Sequence, residues 1–128
     1  MDWVAIVVLL ALLECYAFGI LVGRARGRYN VPAPAIAGHP IFERYMRVHQ
    51  NTLEQLVVFV PAIWIFGHYL SPRLAAGLGL VFLIGRLVYF RGYVEEPEKR
   101  APGALLSALA ILVLVLGALF GAIRALAS

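Results

Sequence analysis

Four stretches of about 20 mostly apolar residues constrain this chain more than anything else, because each is long enough to cross a bilayer as an α-helix. The first runs from about Trp3 to Val22 and is interrupted only by Glu14. The second covers about Leu53 to Leu70, and its helix is expected to begin earlier, near Ile41. The third covers about Leu74 to Phe90, with Arg86 near its end, and the fourth about Ala104 to Leu126. Composition rules out burying these stretches in a water-soluble core. Hydrophobic residues make up 62% of the 128 and charged residues 14%, against about 25% charged in a soluble domain. A chain this short cannot hide so much apolar surface from water. The expected fold is therefore all-α and integral to the membrane: a four-transmembrane-helix bundle, with residues 1–128 forming one domain.

Breakers mark the connections. Arg24, Arg26 and Arg28, then Pro32, Pro34, Gly38 and Pro40, read as a loop between the first two runs. Ser71-Pro72 makes a tight link, with the proline suited to opening the third helix. Glu95 to Gly103, containing Pro97 and Pro102, joins the last two. Met1-Asp2-Trp3 lacks the basic start of a secretory signal, so the first run is read as a retained helix. No internal repeat or low-complexity segment is visible. The single cysteine, Cys15, lies inside the first run, which excludes an intrachain disulfide.

Charge orients the bundle. The net charge of +4 does not point to nucleic acid, because the arginines sit at the ends of apolar runs and form no soluble basic face. With four spans, nine of the eleven basic residues fall on one side: Arg24, Arg26, Arg28, Arg44, Arg47, Arg86, Arg91, Lys99 and Arg100. Only Arg73 and Arg124 lie toward the other. The positive-inside rule then puts both long loops in the cytoplasm and both termini outside.

Two polar stripes interrupt the apolar pattern. In the segment starting at Phe42, Arg47, Asn51 and Glu54 fall on one helical face. In the third helix, Arg86, Tyr89 and Tyr93 follow at i, i+3 and i+7, again on one face. Both stripes lie at the same end of the bundle. One reading is internal pairing, Arg47 with Glu54 and Arg86 with a helix-end carbonyl, which would merely brace the helices. The other is a polar ligand site, since ionisable groups at membrane depth are costly and usually functional. No metal-ligand cluster, Walker loop, dinucleotide fingerprint or Ser/His/Asp arrangement accompanies them.

The two stripes carry a resemblance. Phe42-Glu43-Arg44-x-x-Arg47-x-x-x-Asn51-x-x-Glu54, followed by Gly85-Arg86-Leu87-x-Tyr89-Phe90-x-Gly92-Tyr93 and Arg100, resembles the membrane-associated proteins of eicosanoid and glutathione metabolism, the MAPEG family. The likeness runs from about Val22 to Leu106 and is nearest the leukotriene synthase and microsomal glutathione transferase branch. It implies a homotrimer of four-helix subunits, with glutathione as co-substrate bound between neighbours near the cytoplasmic face. Carried over by position, Arg26, Arg47, Asn51, Glu54, Arg86, Tyr89 and Tyr93 would hold glutathione, and Arg100 would activate its thiol. The second substrate would be a hydrophobic electrophile entering from the lipid. Three positions depart from the branch pattern: Gly27 stands where a second arginine is expected, Gln55 where a tyrosine is, and His49 where a glutamine is. The rival from the same fold is a non-catalytic lipid- or glutathione-binding scaffold. A transporter would instead place polar groups near the midplane of several helices.

Three single features complete the reading. Glu14 in the first run is either a packed carboxyl or a buried partner for an arginine. Pro61 is expected to kink the second helix. Gly117-x-x-x-Gly121 is a candidate close helix contact. The charge bias makes a direct prediction. A reporter fused after Ser128 will lie outside the cytoplasm, and a tag inserted near Ala35 will lie inside. Finding both on one side would exclude the four-span orientation.

Overall fold

The computed structural model describes residues 1–128 as helices joined by short links. Helix α1 is Asp2–Tyr29, α2 is Pro40–Tyr69, α3 is Pro72–Glu95 and α4 is Ala101–Ala127; a single 3-10 turn, Pro97–Arg100, precedes α4. Helices α1, α3 and the segment Pro97–Ala127 are long and apolar enough to cross a membrane. Helix α2 is longer than α3, at 30 residues, but its first half carries Glu43, Arg44, Arg47 and Glu54.

Local chemistry sets the helix ends. His39 caps α2, its Nδ1 accepting from the Ile41 N–H at 3.1 Å, and Pro40 occupies the first turn, where its missing N–H costs nothing. Ser71 caps α3 in the same way, its Oγ accepting from the Leu74 N–H at 3.1 Å, with Pro72 following. Arg44 reaches across from α2 and donates to the carbonyls of Val94 and Glu95, at 3.1 and 3.2 Å. It thereby satisfies carbonyls that the last turn of α3 leaves open.

Two boundaries differ from the sequence reading. Arg24, Arg26 and Arg28 belong to α1, which continues to Tyr29 and ends at Asn30 in the left-handed conformation (φ 56°, ψ 48°). Arginine is a good helix former, and cations near a helix C-terminus are stabilised by the helix dipole, so the charges do not break the helix. Asn30 is a residue type that tolerates positive φ. Helix α4 likewise begins before Ala104, because Pro102 sits in its first turn, where proline is tolerated.

The core runs along the bundle axis. Phe59 of α2 and Phe82 of α3 stack at 4.0 Å with an interplanar angle of 11°, and Val4, Val7 and Ala11 of α1 pack on the same cluster. Outward-facing leucines and isoleucines on α1, α3 and α4 remain exposed, among them Leu13, Ile84 and Leu116, as lipid-facing surface requires. Glycines let α4 approach its neighbours. A Cβ at Gly103 would run into the backbone of Tyr89, and one at Gly85 would stand 2.9 Å from the Ser107 nitrogen. The pair Gly117 and Gly121 faces Phe66 and Tyr69 of α2, making it a close contact within the chain. Helix α2 continues unbroken through Pro61.

Candidate functional site

Close approach of α3 and α4 makes room for the most unusual buried group in the chain, the Arg86 side chain, which is 1% exposed. Its Nε donates to Ser107 Oγ on α4 at 3.1 Å. Its Nη1 donates to Asn51 Oδ1 at 2.7 Å and to Thr52 Oγ1 at 3.3 Å, both on α2. Ser107 in turn donates to the Gly103 carbonyl at 2.6 Å. The guanidinium also lies 4.3 Å from the centre of the Tyr89 ring and 5.9 Å from that of Phe82. One side chain on α3 therefore ties α2 and α4 together. Glu14 of α1 has a buried Oε1 without a hydrogen-bond partner.

Beside this cross-link lies an open cleft of about 400 Å³, lined by Arg47, Gln50, Asn51, Glu54, Tyr89, Tyr93 and Arg100. Two helices and a turn line it: Arg47, Gln50, Asn51 and Glu54 come from α2, Tyr89 and Tyr93 from α3, and Arg100 from the turn before α4. The Tyr89 and Tyr93 ring centres are 5.6 Å apart at an angle of 49°. Arg100 is held by its own turn, Nη1 donating to the Pro97 carbonyl at 2.8 Å, with its guanidinium 5.9 Å from the Tyr93 ring.

Arg47 and Glu54 do not pair. The ion pairs in the chain join Lys99 to Glu95 and Glu96, away from the cleft. Nor does Arg86 spend itself on a helix-end carbonyl. Bracing, one of the two readings of the stripes, is thus concentrated in Arg86, and the cleft keeps two cations, one carboxylate, two amides and two phenols facing an open space. Such a set suits a small, flexible, zwitterionic ligand with several carboxylate and amide groups. Arginine binds carboxylates through paired hydrogen bonds, and a carboxylate binds an ammonium.

Six of the eight residues singled out from the sequence line this cleft: Arg47, Asn51, Glu54, Tyr89, Tyr93 and Arg100. Arg86 lies beneath it, against Asn51, rather than at its surface. Arg26 lies apart from it on α1. Its Nη1 donates to the carbonyls of Ala35 and Val31, at 2.7 and 3.4 Å, and its guanidinium stands 5.0 Å from the centre of the Phe42 ring. Three participants escaped the sequence reading. Gln50 follows Arg47 by three and precedes Glu54 by four, a spacing that places it on their face. Ser107 is the lone hydroxyl in an apolar helix segment, and Thr52 neighbours Asn51; either could have been sought as the partner a buried arginine requires.

A family model described as "MAPEG family" matches residues 4–120. An uncharacterised protein of Synechocystis is 46% identical over 117 residues, covering 91% of this chain and 85% of that protein. Microsomal glutathione S-transferase 2 of Homo sapiens is 44% identical over 117 residues, 90% of this chain and 78% of its own length. Leukotriene C4 synthase of Bos taurus is 36% identical over 110 residues, 86% and 73% respectively.

The buried network sets an expectation for stability. Ser107→Ala removes both the acceptor for Arg86 Nε and the donor to Gly103, and will destabilise the bundle by about 1–3 kcal/mol. Arg86→Met, which fills much of the same space without charge, will be tolerated better than Asn51→Leu, which leaves the guanidinium short of an acceptor. Reversible unfolding in mixed micelles measures all three. Asn51→Leu proving milder than Arg86→Met would show that the guanidinium does not depend on this bond.

Proposed function

The chain belongs to the MAPEG family, and from that premise we propose that it is a glutathione-dependent membrane enzyme acting on a hydrophobic electrophile. Under this proposal α2 is the fourth membrane span, its polar first half shielded by the bundle. Three such chains assemble so that a neighbour closes the exposed side of each cleft, with Arg26 contributing across that boundary. The observation that carries the reading is the unpaired Arg47 and Glu54 in one cleft with Arg100.

In the proposed complex Arg47 takes a glutathione carboxylate and Glu54 the ammonium. Asn51, Gln50 and the phenols of Tyr89 and Tyr93 take the peptide groups. Arg86 acts from beneath, its bond fixing the Asn51 carbonyl so that the amide N–H₂ points outward. Arg100 stands at the sulfur. A free thiol with a pKa near 8.5 is mostly neutral at pH 7, and an adjacent guanidinium favours the thiolate. Lowering that pKa to about 6.5 requires roughly 2.7 kcal/mol of preferential thiolate stabilisation, within reach of one cation in a water-poor cleft. The thiolate then donates its electron pair to the electrophilic carbon, forming the S–C bond while the electrophile's displaced pair leaves on its own heteroatom and takes up a proton. The departure at Gly27 favours one alternative, a glutathione-binding scaffold without turnover, because the branch places a second arginine there.

Binding and chemistry separate experimentally. Arg47→Ala will weaken glutathione binding roughly 10- to 150-fold, the loss of charge-assisted hydrogen bonds. Arg100→Ala will leave affinity within a few-fold but cut the conjugation rate at pH 7 by roughly 20-fold, because the thiol pKa returns toward its free value. The sign follows from the thiolate fraction: the variant's rate climbs with pH until the unassisted thiol ionises, whereas the parent's is already flat. Equilibrium binding and a pH–rate profile with a general electrophile test this. Loss of binding in Arg100→Ala with an unshifted pH profile would make Arg100 a binding residue. Tight glutathione binding by the parent without turnover of any electrophile would favour the scaffold.

A further inference from the structure

A second polar pocket, sharing no residue with the cleft, lies between α1 and α2. It has a volume of about 220 Å³ and is lined by Leu21, Arg24, Ala25, Arg28, Tyr29 and Tyr45. Arg24 and Arg28 are one helical turn apart, so their guanidinium groups project over the same patch. Both are exposed. Neither takes part in a hydrogen bond or an ion pair, and the only contact of this kind is Arg28 at 5.6 Å from the centre of the Tyr29 ring. The two tyrosines are held in place from behind. Tyr29 stacks on His39 with ring centres 4.2 Å apart, and Tyr45 leans on Phe90 at 5.9 Å. No acidic residue lines the pocket, so it presents two unpaired positive charges and two phenols to one small volume.

The position decides what kind of anion fits. The pocket sits where the apolar run of α1 gives way to arginines, which is the polar boundary of a membrane-spanning helix. Its Leu21 and Ala25 lining faces the apolar part of the helix. On the face that carries Arg24, the residues one, two and three turns back are Ile20, Ala17 and Leu13, and all three are exposed. An anion held between the arginines would therefore have an uncovered apolar track leading away from it along α1. A cavity of about 220 Å³ is smaller than the roughly 300–1,000 Å³ that encloses a drug-sized ligand. It fits a headgroup whose chains lie outside.

We propose that this pocket binds the phosphate headgroup of an anionic membrane lipid, with Arg24 and Arg28 as its ligands and the acyl chains lying along Ile20, Ala17 and Leu13. Basic pockets between helices at a membrane surface hold such headgroups through charge-assisted bonds to phosphate oxygens. The site is independent of the glutathione reading, and its test does not use glutathione.

The test titrates detergent-purified protein with short-chain phosphatidic acid, following bound lipid per chain by native mass spectrometry. Short-chain phosphatidylcholine and inorganic phosphate are run as parallel probes, and far-UV circular dichroism verifies that each variant keeps its helix content. The expected result is one saturable phosphatidic acid per chain, weakened roughly three- to ten-fold by Arg24→Gln or Arg28→Gln and further by the double substitution. Arg91→Gln, an exposed arginine on α3 outside the pocket, will leave binding unchanged. Equal binding by the double variant would overturn the proposal. So would equal weakening by Arg91→Gln, which would mean a diffuse charge effect, or displacement of the lipid by inorganic phosphate at matched concentration, which would mean a free-anion site.

Discussion

A single guanidinium, buried where three helices meet, is the interaction on which the rest of this structure turns. Moving a charged group out of water is expensive, and it survives only where its donors are met. At Arg86, Nε and Nη1 find oxygens of Asn51 and Thr52 on α2 and Ser107 on α4, and the guanidinium lies against two aromatic rings. The Ser107 contact is available only because α4 comes close to α3, and that approach requires glycine at 85 and 103. The same bonds set the rotation of α2 relative to α3. That rotation turns Arg47, Asn51 and Glu54 toward Tyr89 and Tyr93 and so creates the cleft.

Charge is thus divided into two roles. Arg86 is held through Nε and Nη1 by its own chain and acts as a fastening. Arg47, Glu54 and Arg100 are open, and in an isolated chain water solvates them at little cost, so they are free to exchange that water for a ligand. An internal pair between Arg47 and Glu54 would have consumed the groups that a zwitterionic tripeptide needs. Their separation leaves both groups outside any structural ion-pair network. The proposed chemistry asks little more of the protein than a fixed cation near the sulfur, since the thiolate is itself a strong nucleophile.

Much of this was legible in the sequence because it depends on periodicity. The two polar stripes follow helical spacing, and the residues on them converge as that spacing requires; Ser71-Pro72 marks the start of α3. The helix ends at Tyr29 and Ala101 were harder to read, because apolar character stops before the helix does: arginines extend α1, and Pro102 sits inside the first turn of α4. The depth of Arg86 was not legible either. Its stripe shows which face it shares with Tyr89, but burial depends on how near α4 comes, and that is fixed by glycines whose meaning appears only when two helices are paired. Ser107 and Thr52 are invisible to motif reading for the same reason, as partners defined across helices.

If the cleft holds glutathione as its thiolate, protons are released on binding, and counting them is the most direct test. Free glutathione is largely protonated at sulfur at pH 7. Titrated into weakly buffered protein in detergent, with binding stoichiometry measured in parallel by calorimetry, it will release about 0.7 proton per molecule bound at pH 7 if the bound thiol has a pKa of about 6.5. Saturable binding with no proton release, or no binding at all, would show that the cleft does not hold the thiolate.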